Sequence, residues 1–577
     1  MTTSPARPTL RSVARLGLAL ALAGTLVAGP VAAADAAPTS TKAKAVSVRV
    51  IGFNDLHGNL EPPAGSSGRV TQSDGSTVDA GGAVYLATHV KQLEAQAAHS
   101  VVVSGGDNIG ASPLASSLFH DEPTIDVLNQ LGVAASAVGN HEFDEGYREL
   151  LRIQLGGCHP TDGCQFDPTF DGADFPILGA NVTRTNGLPA LLPFTVKFEG
   201  GIPIAFIGIT LRGVPDVVIP SAVEGLKFGD EVAAINRTSK LLTRIGIKAQ
   251  VVLMHQGDDT DGGGPNDCKI DLASHPASVI ARRATPQVDA FFTGHSHQQY
   301  NCVVTDPAGQ PRPLIQAASF GRLLSVVDLQ IDPRTRDVVR SATRAKNVIV
   351  TRTVTPDPAV TTIVDHAVQA AAPIGNREVG SITADLIGRG STAPERPLGD
   401  VIADAQLAGT TGNGAQIAIT NPGGIRADLT YASSPAREGD GVVTYAEAFA
   451  VQPFANIMQT ITLTGAQLRT VLEQQGHADS TTTFLQISDG LSYTWSSSAP
   501  LGSKVSNLEL NGAAIQDATS YRVSVNNFLA AGGDGFAGFT AGTDLTGGPI
   551  DLDAFTDYLT ANPNLSPPPA DRITVTP

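Results

Sequence analysis

The chain of 577 residues has no excess of basic side chains: 38 Lys and Arg face 55 Asp and Glu, for a formal charge of −17. A sequence-blind binder of the nucleic-acid backbone needs the opposite surface, so no nucleic-acid polymer is expected as partner. Small anionic substrates remain open, because a bound metal can supply local positive charge. Cysteine is scarce, with four residues and no CxxC spacing, which argues against a thiolate metal site. Glycine and proline number 60 and 38, about a sixth of the chain, below the ~25–30% of low-complexity sequence. No Walker loop, HExxH or GxSxG motif occurs, so P-loop, zincin and serine-hydrolase signatures are absent. Past the N-terminal stretch no run of 18 apolar residues is present, and no stable membrane anchor is expected.

Turning to what is there, Arg7, Arg11 and Arg15 precede an apolar run over residues 16–27 and small-residue cleavage sites around Ala34. The run is too short to span a bilayer. The pattern predicts a secretory signal peptide over residues 1–37 and an exported, soluble product. An even number of cysteines agrees with an oxidising compartment. Of the three possible connectivities, local pairing of Cys158 with Cys164 and of Cys268 with Cys302 is preferred.

From residue 46 to 350, short β-branched runs alternate with helical stretches, which predicts an α/β sandwich. Strands are read at VSVRVIGF, SVVVSG, ASAVG, PIAFIGIT, AQVVLM and VDAFFTG. Several are apolar almost throughout, as expected of strands covered on both faces. Helices are predicted at 83–97, 124–131 and 232–245. Residues 354–373 read as one helix bounded by prolines, a connector to a second α+β region at 374–577 with strands QIAIT, MQTITLT and YRVSVNN.

The chemistry sits just beyond the strands. The first strand leads to Asp55 and His57, the second to Asp107, the third to Asn140, His141 and Glu142, another to His255, and the last to His295 and His297. Asp55 with His57, and His295 with His297, stand at i, i+2, which puts each pair on one side of an extended chain. Ligands of open α/β sheets bind beyond the carboxyl ends of the strands. Oxygen and imidazole donors suit Zn, Mn, Fe or Mg rather than thiolate-seeking ions. A lone His after a strand is usually a hydrogen-bonded structural residue. Five such termini in order change that reading to a metal centre.

The segments DLHG, GGDNIGAS, GNHEFD and GHSH, with a single His after an apolar strand, resemble the calcineurin-like metallophosphoesterases. NPGGIRAD, PFAN and NNFLAAGGDGF in the second half extend the resemblance to the secreted bifunctional family of 5′-nucleotidases and UDP-sugar hydrolases. The resemblance implies a four-layered αββα domain at 46–350 with two divalent metal ions, Zn, Mn or similar. It also implies a linker helix at 354–373 and a smaller α+β substrate-binding domain at 374–577. Matched motif by motif, Asp55, His57, Asp107 and His297 correspond to ligands of one ion. Asp107, Asn140, His255 and His295 correspond to ligands of the other, so Asp107 bridges both. His141 matches a catalytic histidine that is not a ligand, with Asp144 as its orienting partner. Phe454 and Phe528 match an aromatic pair around a nucleobase, Asn456 and Asp534 match base or ribose contacts, and Asn421 and Arg426 match residues near phosphate. The implied activity is hydrolysis of a small-molecule nucleotide, with 2′,3′-cyclic nucleotides, 3′-nucleotides and UDP-sugars as alternatives. A non-catalytic nucleotide-binding surface protein is the alternative from another class. One departure stands out: Thr392 occupies the place of the family's phosphate-binding Arg, with Arg389 and Arg396 as neighbouring candidates to replace it.

Overall fold

Alternation of buried side chains sets the layering of the N-terminal half. In β1 (Val46–Phe53), Val48 and Val50 face one apolar cluster while Ile51 and Phe53 face another, and all four are buried. A strand with two buried faces must lie between two further layers. The computed structural model describes residues 44–577 apart from Pro435, Asp479 and Ser480, and the predicted signal peptide lies outside the described residues.

The principal strands that follow β1 are β2 (Ser100–Ser104), β3 (Val133–Ala137), β4 (Ile177–Leu178), β5 (Phe194–Glu199), β6 (Ile202–Thr210), β7 (Ala249–His255), β8 (Ala290–Thr293), β9 (Gln299–Thr305), β10 (Pro311–Ala317), β11 (Leu323–Asp332) and β12 (Arg344–Ile349). One sheet runs β11-β1-β2-β3-β4, with β12 also on β11; the other runs β9-β10-β8-β7-β6-β5. β1 to β4 are mutually parallel, as are β6, β7, β8 and β10, while β11, β9 and β5 join antiparallel.

The sheets meet face to face through Val50, Val103, Phe206, Val251 and Phe292. The contact is close: a Cβ on Gly52 would lie 2.3 Å from the Phe292 ring. The outer face of the first sheet is covered by α1 (Ala83–Ala95), α2 (Glu122–Gln130) and, later in the chain, the helix Pro358–Gly375. The outer face of the second is covered by α3 (Glu231–Arg244) and α4 (Pro276–Arg283). The result is the expected αββα stack. The helix Pro358–Gly375, α5, begins where Asp357 caps it by accepting from the Ala359 and Val360 amides, with Pro358 in the first turn. Residues 354–357 of the predicted helix therefore precede it.

The second half is built on β13 (Ile417–Thr420), β14 (Ile457–Thr464), β15 (Ser520–Asn526) and β16 (Thr543–Ile550). Their sheet has the order β13-β15-β14-β16, with Gln486–Ile487 outside β13. The sheet's apolar side chains, Ile417, Ile461 and Val523 among them, form one cluster, while helices α6 (Pro397–Thr410) and α7 (Asp551–Ala561) contribute Leu398, Ile402, Phe555 and Leu559 to a second. Lys44–Pro577 packs as one unit. Among the described residues no helix is long and apolar enough to cross a membrane.

The strand read at ASAVG lies two residues earlier and ends at Ala137. The strands β9 to β12 were not read from the sequence; β9 with β10 and β11 with β12 pair antiparallel, while β10 pairs parallel with β8 and β11 antiparallel with β1. Both expected disulfides are present, Cys158–Cys164 and Cys268–Cys302, and no free cysteine remains. Loop-closure entropy makes the second the stronger staple. Closing its 34-residue separation stabilises the fold by about 4 kcal/mol, against about 2 kcal/mol for the six-residue loop. Denaturant unfolding of Cys268→Ser/Cys302→Ser should therefore show a larger loss than that of Cys158→Ser/Cys164→Ser, and the native chain should titrate no thiols.

Candidate functional site

Five strands of the two sheets end at one edge, and the donors beyond three of them, β1, β2 and β8, share a backbone peculiarity. Asp55, His57, Asp107, His295 and His297 have φ of 51, 47, 50, 74 and 57°. A left-handed backbone costs a residue with a Cβ of the order of 1–3 kcal/mol, and such strain concentrates where geometry serves a site. It also corrects the expected reason for their clustering. Asp55 and His57 share a direction as successive turn residues, not as alternate positions of an extended chain.

These turns bring all seven candidate donors together. His57 Nε2 lies 3.1 Å from His297 Nε2, 3.7 Å from Asp107 Oδ2 and 4.0 Å from Asp55 Oδ1. Asp55 Oδ1 is 3.5 Å from His297 Nε2. His255 Nε2 lies 3.0 Å from Asp107 Oδ2 and 3.2 Å from Asn140 Oδ1, and His295 Nδ1 is 2.9 Å from the same Asn140 oxygen. Two groups result, Asp55 with His57 and His297, and Asp107 with His255 and His295, each with donor atoms within 4.8 Å of one another. Asp107 also lies against His57 and His141, so its carboxylate stands between the two groups.

The donor chemistry fits divalent cations. His57 Nδ1 gives its proton to the Gly110 carbonyl at 2.8 Å, and His255 Nδ1 gives its proton to Gly105 at 3.0 Å. Each ring thus turns its other nitrogen toward carboxylate and amide oxygens. Anchoring of one ring nitrogen on a backbone carbonyl is the usual support of a metal-binding imidazole. Burial holds His57 and His297 well below the ordinary imidazole value and His295 down to about 3, which keeps their lone pairs free. Burial pushes Asp55 up to about 7. Asp107 behaves differently: burial opposes its ionisation, but His255 and His141 override it and hold the carboxylate well below the usual range. His255, against the pull of burial, is raised to about 9 by Asp107.

His141 stands beside this set. Its Nδ1 is 2.8 Å from Asp144 Oδ2, and its backbone N–H donates to Asp107 Oδ1 at 2.8 Å. The imidazole is therefore fixed by one carboxylate and its backbone by the other, which leaves Nε2 as its free nitrogen.

The candidate substrate residues face the same opening. A cavity of about 310 Å³ is lined on one side by Asp107, Asn140, His141, Asp144, His295 and His297. Asn421, Arg426, Phe454, Asn456, Phe528 and Asp534 line the other. Its size is at the low end of small-molecule sites. Asp55, His57 and His255 are fully buried behind it. Phe454 lies nearly parallel to the His141 ring at 5.7 Å, with the Arg426 guanidinium 5.6 Å from its centroid. Phe528 packs flat on Gly533, where a Cβ would meet its ring at 2.4 Å. Asn421 donates to Asp534 Oδ2 at 2.7 Å, and Asn456 donates to Asp551 Oδ2 at 3.0 Å. Arg426 reaches to 3.5 Å of His57 Nε2.

Two residues that sequence reasoning left without a role, Glu142 and Asn54, support the site, as does Arg389, a candidate replacement for the missing arginine. Glu142 accepts the backbone N–H groups of Asp107, Asn108 and Gly139, tying the second and third strand ends together. It sits inside the GNHE segment, so its position was visible although its partners were not. Asn54 donates to Asp55 Oδ2 and to the Ala318 carbonyl and accepts from the Ala317 amide. Arg389 is half-buried at the cavity wall with Nη2 3.0 Å from His297 Nδ1. Arg396 instead turns to the Gly388 carbonyl at 3.4 Å. Of the two cations near Thr392, Arg389 is the one the fold brings to the cavity.

With the geometry in view, comparison with known proteins places it. Residues 48–299 match the calcineurin-like phosphoesterase family, and residues 373–541 match the 5′-nucleotidase C-terminal domain. The chain is 34% identical to cell wall protein Lmo0130 of Listeria monocytogenes over 92% of its own length and 70% of that protein. It is 32% identical to endonuclease YhcR of Bacillus subtilis over 89% of its own length, but spans only 40% of that protein. A 5′-nucleotidase of Bos taurus is 24% identical over 84% of this chain and 83% of that one. Among solved structures, a 5′-nucleotidase precursor from Thermus thermophilus shares the fold with a TM-score of 0.75, covering 92% of this chain and 99% of that chain at 24% identity. Fold, donor set and family matches define a metal-dependent phosphoester hydrolase. Within that class the chain belongs to the 5′-nucleotidase family, with both halves of the family's arrangement.

A Cβ on Gly139 would lie 2.0 Å from Asp107 Oδ1. Gly139→Ala should force the shared carboxylate aside, lower stability by about 1–3 kcal/mol through overpacking, and reduce bound metal measured on the purified protein. Unchanged metal content would show that Asp107 has freedom the packing denies it.

Proposed function

We propose that this chain is an exported dinuclear 5′-nucleotidase that releases phosphate from nucleoside monophosphates. One observation carries the reading: a carboxylate shared by two donor groups opens onto a cavity whose opposite wall holds two phenylalanines and two arginines. The segment 46–350 supplies the metal donors, 354–373 connects, and 374–577 supplies the wall that holds the nucleoside. Export agrees with the N-terminal pattern, the two disulfides, and relatives named as a cell wall protein and as snake venom 5′-nucleotidases.

Asp55, His57, Asp107 and His297 would hold one divalent ion, and Asp107, Asn140, His255 and His295 the other. Zinc, manganese or a similar ion bound there offsets phosphate charge and acidifies the attacking water. The protein's own residues do the rest. Asp144 fixes the His141 ring, whose free nitrogen, when protonated, donates to a phosphoryl oxygen as charge develops there. Arg426 and Arg389 bring two guanidinium groups to the cavity, where a planar fork matches phosphate oxygens. Arg389 thereby stands in for the arginine that Thr392 replaces. Phe454 and Phe528 offer faces on which a nucleobase stacks, a sequence-tolerant contact worth ~1–3 kcal/mol per base. Asn456 and Asp534 contribute polar edges for base or ribose.

The direct test is phosphate release from AMP by purified protein, abolished by EDTA and restored by Zn²⁺ or Mn²⁺. No metal-restored activity on any phosphate ester would leave a nucleotide-binding surface protein as the better reading. A panel that includes UDP-glucose, a 2′,3′-cyclic nucleotide and a 3′-nucleotide fixes the preferred class. His141→Ala should retain its metal and lose about 10²–10³ in kcat, the loss typical of a missing transition-state donor. Normal turnover would remove His141 from the mechanism. Phe454→Ala should raise KM for AMP by about tenfold or more and leave p-nitrophenyl phosphate little changed. Arg389→Ala should weaken both substrates alike, because phosphate is common to them; a loss confined to AMP would assign Arg389 to the nucleoside instead.

A further inference from the structure

A second cluster of metal-binding side chains lies outside the cleft. His120, Glu145, His159 and Asp162 come together from three segments. His159 and Asp162 belong to the loop closed by Cys158–Cys164. The two imidazoles are stacked, with centroids 3.9 Å apart and planes 20° from parallel. Their side chains are 18% and 17% exposed, while Glu145 and Asp162 stand at the mouth, 46% and 47% exposed.

The contacts are those of a metal site with its supporting carboxylate. His120 Nδ1 lies 2.7 Å from Glu145 Oε2. A ring proton given to Glu145 leaves the lone pair of Nε2, which is 3.0 Å from Asp162 Oδ2. His159 Nδ1 lies 2.9 Å from the same Asp162 Oδ2 and 3.2 Å from the Asp162 backbone nitrogen. Two imidazole nitrogens thus converge on one carboxylate oxygen, an arrangement that ring protons or a cation can hold together. Nitrogen donors disfavour Ca²⁺ and Mg²⁺ and suit zinc and its neighbours. Three protein ligands with an open side fit zinc coordination completed by water. A carboxylate on the distal nitrogen of a ligating histidine is a recurrent support for such a site.

We propose that His120, His159 and Asp162 bind a further zinc-type divalent ion, with Glu145 orienting His120. The site's place in the fold gives it a structural role. His120 and Asp121 both have a left-handed backbone, with φ of 52 and 60°. The Asp121 carboxylate accepts the Gly110 amide N–H at 2.9 Å, and the Gly110 carbonyl holds His57. Glu145 directly follows Asp144, which holds His141. An ion here ties the disulfide loop to the two segments that position the cleft's histidines. It competes with a proton: hydrogen bonding to Glu145, aided by Asp162 and Glu149 and opposed by burial, raises His120 to about 9. With no ion bound, the imidazolium bridges the two carboxylates.

The test counts metal. Full-length protein is stripped with a chelator, re-equilibrated with Zn²⁺ at pH 8, freed of excess, and assayed for zinc per chain beside His159→Ala/Asp162→Ala. The wild type should hold one equivalent more than the double variant, and added Zn²⁺ should raise its thermal midpoint by more. Glu145→Gln should retain the site with about 10–100-fold weaker affinity. Equal zinc content in wild type and double variant overturns the site, and the cluster is then a proton-bridged ion pair only. Because the readout is a difference, it does not depend on how many ions the cleft holds. Loss of zinc in Asp107→Asn reports on the cleft alone, and a double variant that fails to fold is replaced by Asp162→Asn, for which the same deficit is required.

Discussion

The Asp107 carboxylate is the point on which the other distances depend. It is buried, lies 3.0 Å from His255 and 3.7 Å from His57, and takes the His141 amide on its other oxygen. A carboxylate in such a place is costly unless positive charge or hydrogen-bond donors surround it. The surrounding structure meets that condition from several directions. Glu142 holds the backbone on which Asp107 turns, and Gly139 leaves out the side chain that would collide with it. Small movements of any of these would separate the two donor groups.

The layered fold explains how such a centre is affordable. Two sheets pressed together through Phe206, Val251 and Phe292 form a rigid base, and only their carboxyl ends are free of that packing. Strained turns at Asp55, His57, Asp107, His295 and His297 persist because the three strand ends that carry them are pinned by the same core. The second half of the chain closes the opening with Arg426, Phe454 and Asp534, so the cavity belongs to both halves. The contact of Phe454 with His141 joins the wall that would hold a nucleobase directly to the ring that would meet phosphate.

The cluster around His120 extends this logic outward. Residues one position away from Asp121 and Asp144 emerge on the surface and meet a disulfide-closed loop. The histidines of the cleft are thus supported from behind by polar contacts as well as by the apolar core, and the disulfide restrains the loop that completes the cluster.

Much of this was legible in the chain itself. Runs such as PIAFIGIT are apolar almost throughout, as a doubly covered strand requires, and the donors after each run mark the functional edge. Four cysteines without CxxC spacing pointed to the two disulfides that form. Other features were not legible, because they depend on contacts between distant segments. The pairing of β10 with β8 and of β11 with β1 joins segments separated in sequence, which no local pattern reveals. The left-handed turns at Asp55 and His57 place side chains by a route that strand alternation does not describe. The choice of Arg389 over Arg396 follows from which backbone faces the cavity, and neighbours in sequence cannot reveal that. Sequence determined the kinds of donor and their order, since those follow from local chemistry. Tertiary structure alone decided that Asp107 stands between two groups of ligands, because the distances among five strand ends exist only once the sheets have packed.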